Sequence, residues 1–134
     1  MSRAPTRDLL AANFDEIAPA LVSQLVSVLS QGRQAFGDLD RVLILMLICE
    51  RSKRRGAASW TNIRSIAEST GLPRETVRRK VAQLAEAGLI SREGHRLKLL
   101  PAADVAARGT RAAIVEMAAS NAELAERLAD REAA

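Results

Sequence analysis

Apolar side chains recur at steps of three and four from near the start of the chain. Leu10, Phe14, Ile17, Leu21, Leu25 and Val28 fall on one face of a helix over residues 7–31. Pro19 interrupts that pattern and predicts a break near Asp15–Ala18, with the proline in the first turn of a second helix. The second piece also carries Val22, Val26 and Leu29, so it is apolar around much of its circumference and calls for burial on more than one side. Gly32 to Gly37 reads as a connection. Asp38 is then placed to cap a helix from Leu39 to about Lys53. The run Val42 to Ile48 is too apolar for a surface helix and is expected at the centre of the core.

The second half of the chain is punctuated differently. Ala58-Ser59-Trp60 reads as a very short strand, and Thr61 as the cap of a helix from Asn62 to Ser69. Gly71 ends that helix, and Pro73 opens another that reaches about Ala87, with Gly88 as its stop. Leu89–Arg92 and Arg96–Leu99 are strand-like runs joined through Glu93-Gly94-His95, which predicts a hairpin. Pro101 closes this unit. Residues 102–132 are alanine-rich and helical, with Gly109 as the weak point where the helix bends or breaks. The expected fold is mainly α with one small β-hairpin. It divides into a helical extension (1–37), a compact middle (38–101) and a C-terminal helix (102–134).

Charge sharpens that division. The formal charge of +4 is unevenly spread: residues 1–50 carry four basic and six acidic side chains, 51–98 carry twelve and four, and 102–134 carry four and six. A net +8 middle between mildly acidic ends is the footprint of a module that binds a polyanion. Aromatics are limited to Phe14, Phe36 and Trp60, which disfavours the base-stacking platforms of many single-strand binders. The longest apolar run, Val42 to Cys49, is far short of the ~20 residues that span a bilayer. The start of the chain lacks the apolar stretch of a secretory signal. A cytoplasmic protein without membrane partners is therefore expected. Cys49 is the one cysteine, and it sits within the apolar run.

The informative stretch runs from Thr61 to Leu99: a short helix, a tight Gly71-Leu72-Pro73 turn, a longer basic helix and a hairpin. In the longer helix Val77, Val81 and Leu84 form one buried face at 100° per residue. Glu75, Arg79, Ala82 and Glu86 then point away from it, with Arg74 and Arg78 on one flank and Thr76, Lys80 and Gln83 on the other. Its outer face is basic in the first half only, which suits a helix whose N-terminal half enters a major groove. Glu75 in such a face reads either as a base contact to a cytosine amino group or as a cap or salt-bridge partner. Ala67, Gly71 and Val77 have the spacing of a helix-turn-helix motif's small residue, turn glycine and buried anchor, and Gly88-Leu89-Ile90-Ser91-Arg92 matches the usual exit into a wing.

On these residues the chain resembles the winged helix-turn-helix domains of bacterial transcription regulators. Arg74-Glu75-Thr76-Val77-Arg78-Arg79 is similar to the recognition helix of the catabolite-activator type, and the helical flanks are similar in layout to the MarR type. The resemblance implies base reading by Arg74, Glu75 and Arg79 and a phosphate contact by Thr76. Two departures stand out: Pro73 replaces the usual capping serine or threonine, and Lys80 sits where an apolar residue is common. The chain also has no room for a cyclic-nucleotide domain.

Further phosphate contacts are expected from Arg78, Lys80, and Arg92 and Arg96 on the wing. Arg54 and Arg55 are open to two readings: more phosphate contacts, or cations that favour the negative end of a helix together with Arg51 and Lys53. His95 reads as a turn residue or phosphate contact rather than a metal ligand. No triad, phosphate loop or paired-carboxylate site is evident, so neither an enzyme nor a cofactor is expected, and no effector pocket is legible.

Ile114, Met117, Asn121, Leu124 and Leu128 step by 3, 4, 3 and 4. That is either a seam to a second copy, with Asn121 pairing across a two-fold, or a face packed within the chain. The expected function is a homodimeric regulator that binds double-stranded DNA by sequence. The alternatives are an adaptor that uses the same scaffold to bind protein, and a replication or partition factor.

Overall fold

The computed structural model describes residues 6–54 and 61–134. In chain order the elements are α1 (Thr6–Ala12), α2 (Phe14–Phe36), α3 (Leu39–Arg54), α4 (Ile63–Thr70), α5 (Arg74–Glu86), β1 (Ile90–Glu93), β2 (Arg96–Leu99), α6 (Pro101–Ala106) and α7 (Arg108–Ala133). The chain forms two compact units. One combines the residues up to Gln31 with Thr110–Ala134; the other is Gly32–Gly109. No single helix among the described residues is long and apolar enough to cross a membrane.

The second unit is a winged helix-turn-helix fold. Its core gathers Phe36 from the end of α2, Val42, Ile44, Leu45 and Ile48 from α3, Ile66 from α4, Val77, Val81 and Leu84 from α5, and Ile90 and Leu97 from the hairpin. The three anchors expected on α5 are therefore all buried. The apolar run of α3 divides into two faces: Val42, Ile44, Leu45 and Ile48 are buried, whereas Leu39, Leu43 and Met46 on the other side are between 38% and 50% exposed. Asp38 caps α3 as expected, its Oδ1 accepting the Arg41 backbone N–H at 2.8 Å.

Between α4 and α5 the chain turns at Gly71. It adopts φ +77°, a left-handed conformation that costs glycine little, and donates its N–H to the Ala67 carbonyl at 2.9 Å. Thr70 supports the turn, its hydroxyl donating to the Ile66 carbonyl and accepting the Leu72 N–H. The hairpin is antiparallel, with Ile90 opposite Leu99 and Glu93 opposite Arg96, so the connecting turn is only Gly94-His95. Leu97 also donates its N–H to the Thr61 carbonyl at 2.9 Å, which adds an isolated antiparallel bridge on the outer side of β2.

Four expected boundaries move. Thr61 is buried in that bridge, its backbone committed to Leu97, so Asn62 takes over as the cap of α4 and accepts the Ser65 N–H at 2.8 Å. The first break comes at Asn13 rather than Asp15–Ala18. Asn13 closes α1 by donating its side-chain amide to the Leu9 carbonyl, opens α2 with its own carbonyl, and bends the pair by 100°. Pro19 thus lies inside α2, and the Asp15 carbonyl it deprives of a donor belongs to an exposed residue, not to the core.

Gly32 does not begin a connection; α2 runs on to Phe36. A Cβ at position 32 would lie 2.8 Å from Val42 Cγ1, so this glycine serves a close helix approach. The C-terminal helix breaks at Ala107, not Gly109, where the Ala107 N–H closes α6 onto the Ala103 carbonyl at 2.9 Å. The strand expected at Ala58–Trp60 lies outside the described residues.

In the first unit, Ile17 and Val28 of α2 and Leu128 of α7 are buried. Arg131 ties the end of α7 to the start of α2 by donating to both Glu16 carboxylate oxygens, at 2.8 and 2.9 Å, and to Asn13 Oδ1 at 3.2 Å. Leu128 and the Oδ1 of Asn121 are both shielded from solvent within the single chain. Along the same α7 face Met117 and Leu124 are partly buried and Ile114 is exposed.

Candidate nucleic-acid interface

Three elements converge on one open groove of about 700 Å³. The start of α4 contributes Asn62, Ile63 and Arg64; the first turns of α5 contribute Arg74, Glu75 and Arg78. The wing contributes Arg92, His95 and Leu97. The fold explains the convergence. Val77, Val81 and Leu84 hold α5 against the core by its inner face, which turns the N-terminal arginines outward. The Thr61–Leu97 bridge brings β2 against the residue preceding the Asn62 cap of α4, so the wing and the α4 N-terminus border the same hollow.

Glu75 is the one acid in that lining, and it is engaged. Its carboxylate accepts from Arg78 Nε at 3.0 Å and Nη2 at 2.6 Å. Those hydrogen bonds, followed by the charges of Arg78 and Arg79, hold the Glu75 carboxyl below its ordinary value despite some desolvation; the pairing raises Arg78 in turn. Both side chains remain well exposed, so the pair contributes little to folding stability. In the free protein Glu75 is therefore a salt-bridge partner of Arg78.

The expected site residues separate into groups. Arg74, Glu75, Arg78 and Arg92 line the groove. Arg79 is exposed on the adjoining outer face of α5 with Ala82 and Glu86, while Thr76 is half-buried on its flank. Arg96 stands opposite Glu93 where the hairpin turns.

Lys80 is engaged within the chain. Its ammonium donates to Asp38 Oδ2 at 2.9 Å, and its side chain is only 17% exposed. Beside it, Arg41 donates to Gln83 Oε1 at 2.6 Å. Lys80 and Gln83 therefore tie α5 to the start of α3. This explains a lysine at a commonly apolar position: the aliphatic stem packs while the head finds the capping carboxylate.

Arg54 pairs with Glu50 one turn back on α3. Arg51 bridges to α4, donating to Ser65 Oγ at 3.1 Å and Ser69 Oγ at 2.9 Å. Arg55 lies outside the described residues.

Arg64 is a groove residue that the sequence reading missed. It is the second residue of α4, exposed, and within 3.2 Å of Glu68 across one helical turn. No signal near it in sequence marks it; it joins the site because the Thr61–Leu97 bridge brings β2 beside the start of α4. His95 also lines the groove, in keeping with its reading as a turn or phosphate-contacting residue.

Residues 40–90 match a family model described as a helix-turn-helix domain. The matched segment runs from α3 to the first residue of β1, so it covers the motif and stops short of the rest of the wing. Nothing among curated proteins or solved structures matches the chain. The match supports a DNA-binding helix-turn-helix domain, and the hairpin after it completes the winged form.

Proposed function

We propose that this protein is a sequence-specific regulator that binds double-stranded DNA as a homodimer, with α5 in the major groove and the β1–β2 wing on the backbone or in the minor groove. The observation that carries this reading is the groove itself. Arg64, Arg74, Arg78 and Arg92, drawn from three separate elements, face one hollow beside the outer face of α5. Such an arrangement lets one phosphate backbone run between helix and wing while the helix reaches base edges. Arg74, Glu75 and Arg79 are assigned to base edges, and Arg64, Arg78, Arg92 and Arg96 to phosphates. Thr76 keeps a phosphate role from the start of the helix. Lys80 and Arg54 are assigned to internal pairs.

Selection from random duplex DNA followed by binding across a salt series tests the proposal. Each neutralised phosphate contributes about −0.9 to the slope of log affinity against log salt, so at least about four contacts in a dimer give a slope steeper than about −3.5. The enriched site should be an inverted repeat with half-site centres one helical turn, about 34–36 Å, or a multiple of it apart. A flat salt response, or no enriched sequence, would transfer the scaffold to the adaptor reading. A genomic footprint confined to a replication origin or partition site would replace gene control with those roles while leaving the interface in place.

A further inference from the structure

We infer that Arg41 is a positioning residue for the recognition helix: it ties the corner between α2 and α3 to α5 and so sets the rotation at which α5 meets DNA. The inference rests on the regulator reading for its readout and goes beyond it, since Arg41 is not among the residues that line the groove. Val77, Val81 and Leu84 hold α5 by its inner face. Apolar contacts carry no direction, so they fix how close α5 lies to the core more firmly than how it is turned about its own axis. A turn of about 10° moves a group ~6 Å from that axis by about 1 Å, enough to take a hydrogen bond of about 2.9 Å out of range. Arg74, Arg78 and Arg79 are therefore aimed only as well as that rotation is held.

Directional contacts hold it from one flank. At 100° per residue Lys80 and Gln83 lie on the side of α5 away from Arg74 and Arg78, and both are engaged from the start of α3. Arg41 reaches three acceptors at once. Its Nη2 donates to Gln83 Oε1 at 2.6 Å and its Nη1 to the Phe36 carbonyl at 3.2 Å, while Nε lies 3.3 Å from Asp38 Oδ2, which also accepts from Lys80. One guanidinium thus joins the last residue of α2, the cap of α3 and the flank of α5. The Phe36 carbonyl is one of the acceptors a helix leaves unmet at its negative end, where a cation is favoured. The corner is shaped to admit it: Gly37 takes φ +100°, and a Cβ there would lie 3.2 Å from Arg41 Nη1. The Arg41 side chain is 31% exposed, so solvent screens these contacts only in part. A lysine would carry the same charge but lacks the rigid planar fork that meets all three acceptors.

The affinity of the full chain for its selected duplex tests this, with circular dichroism and urea midpoints confirming that each variant is folded under the binding conditions. Gln83→Leu and Arg41→Lys both leave the net charge unchanged, so neither alters the counterion contribution. Each should lower affinity for the selected site about 10-fold, a large part of one bidentate base contact. Affinity for random duplex and the salt slope should stay as in the wild type, because attraction to phosphate is long-ranged and tolerates a small rotation. The double variant should lose no more than either single one, since both remove the same contact. Gln83→Glu keeps an acceptor for Arg41 and should recover most of what Gln83→Leu loses, although it brings a negative charge toward the DNA. A merely structural role would lower the urea midpoint and leave the affinity of the folded protein untouched. That result, a roughly 100-fold additive loss in the double variant, an equal loss on random duplex, or a Gln83→Glu protein as weak as Gln83→Leu overturns the inference and keeps the regulator reading. A wild type that binds no duplex refutes the regulator reading, and with it any role for Arg41 in aiming α5 at DNA.

Discussion

Asp38 performs two tasks at once, and removing its carboxylate should expose both. Its Oδ1 caps α3 by accepting the Arg41 N–H, while its Oδ2 accepts from Lys80 at 2.9 Å. Loss of a helix cap costs ~1 kcal/mol. Asp38→Ala also leaves the Lys80 ammonium without its acceptor on a side chain only 17% exposed. An unmet group of that kind costs about 1–3 kcal/mol, and the lower half of that range applies because the Asp38 side is solvent-screened. The expected total is about 2–3 kcal/mol, read as a lower urea midpoint with an unchanged slope.

The pH dependence follows from the same contacts. Burial alone would raise the Asp38 carboxyl, but the hydrogen bonds from Lys80 and the Arg41 backbone, with the charges of both, outweigh it and hold the group below its ordinary value. A depressed carboxyl stabilises the fold fully above its unfolded value, near 4, and that contribution disappears as pH falls through the lower folded value. The wild type should therefore lose stability relative to Asp38→Ala only in that acid window. Should Asp38→Ala melt like wild type while Lys80→Met makes the DNA salt slope shallower by about one per half-site, Lys80 is a phosphate contact after all and the tie between α3 and α5 is dispensable.

Other substitutions separate holding from reading. Arg79→Ala should cost ~1–3 kcal/mol on the selected site and relax preference at one base pair per half-site, as read by binding selection. Arg92→Ala and Arg64→Ala, both on the groove, should weaken all duplexes about equally and reduce the salt slope by roughly one per site engaged. Gly32→Ala should destabilise by about 1–3 kcal/mol in urea melts, since its methyl would lie 2.8 Å from Val42 Cγ1, a branched side chain stiff about χ1. An unchanged midpoint would show that α2 and α3 can separate at no cost.

Much of the winged unit was legible because its signals are local. The alternation of Val77, Val81 and Leu84 with arginines, the Gly71 turn and the strand pairs flanking Gly94 each follow from spacing over a few residues, and each holds in the structure. What escaped are the contacts between residues far apart in sequence. Lys80 meets Asp38 across 42 positions, and nothing adjacent to it distinguishes an internal cation from a phosphate ligand. Thr61 and Asn62 are both good caps by composition; the pairing of Thr61 with Leu97 decides between them. Gly32 carries a helix approach that reads in sequence as a turn, since glycine is favoured by both. The groove depended on the same long-range information: Arg64 becomes a site residue only once β2 is known to lie beside the start of α4.

On the proposed function, the groove's single acid bears on how so basic a site would discriminate among duplexes. In the free protein the Glu75–Arg78 pair is exposed and weak, so a phosphate can draw Arg78 away at little cost. Once Arg78 has turned to the backbone, Glu75 is left as an uncompensated carboxylate close to a polyanion. That state is favourable only where a hydrogen-bond donor meets it, and the cytosine amino group is the donor a major groove offers to a carboxylate. Where the base presents an acceptor instead, repulsion and lost hydration stay uncompensated. Specificity is a difference between affinities, and a repulsive element raises it as surely as an attractive one. On this reading Arg64, Arg78, Arg92 and Arg96 supply affinity for duplex in general, Arg74 and Arg79 add favourable contacts at the right site, and Glu75 withdraws affinity from the wrong ones.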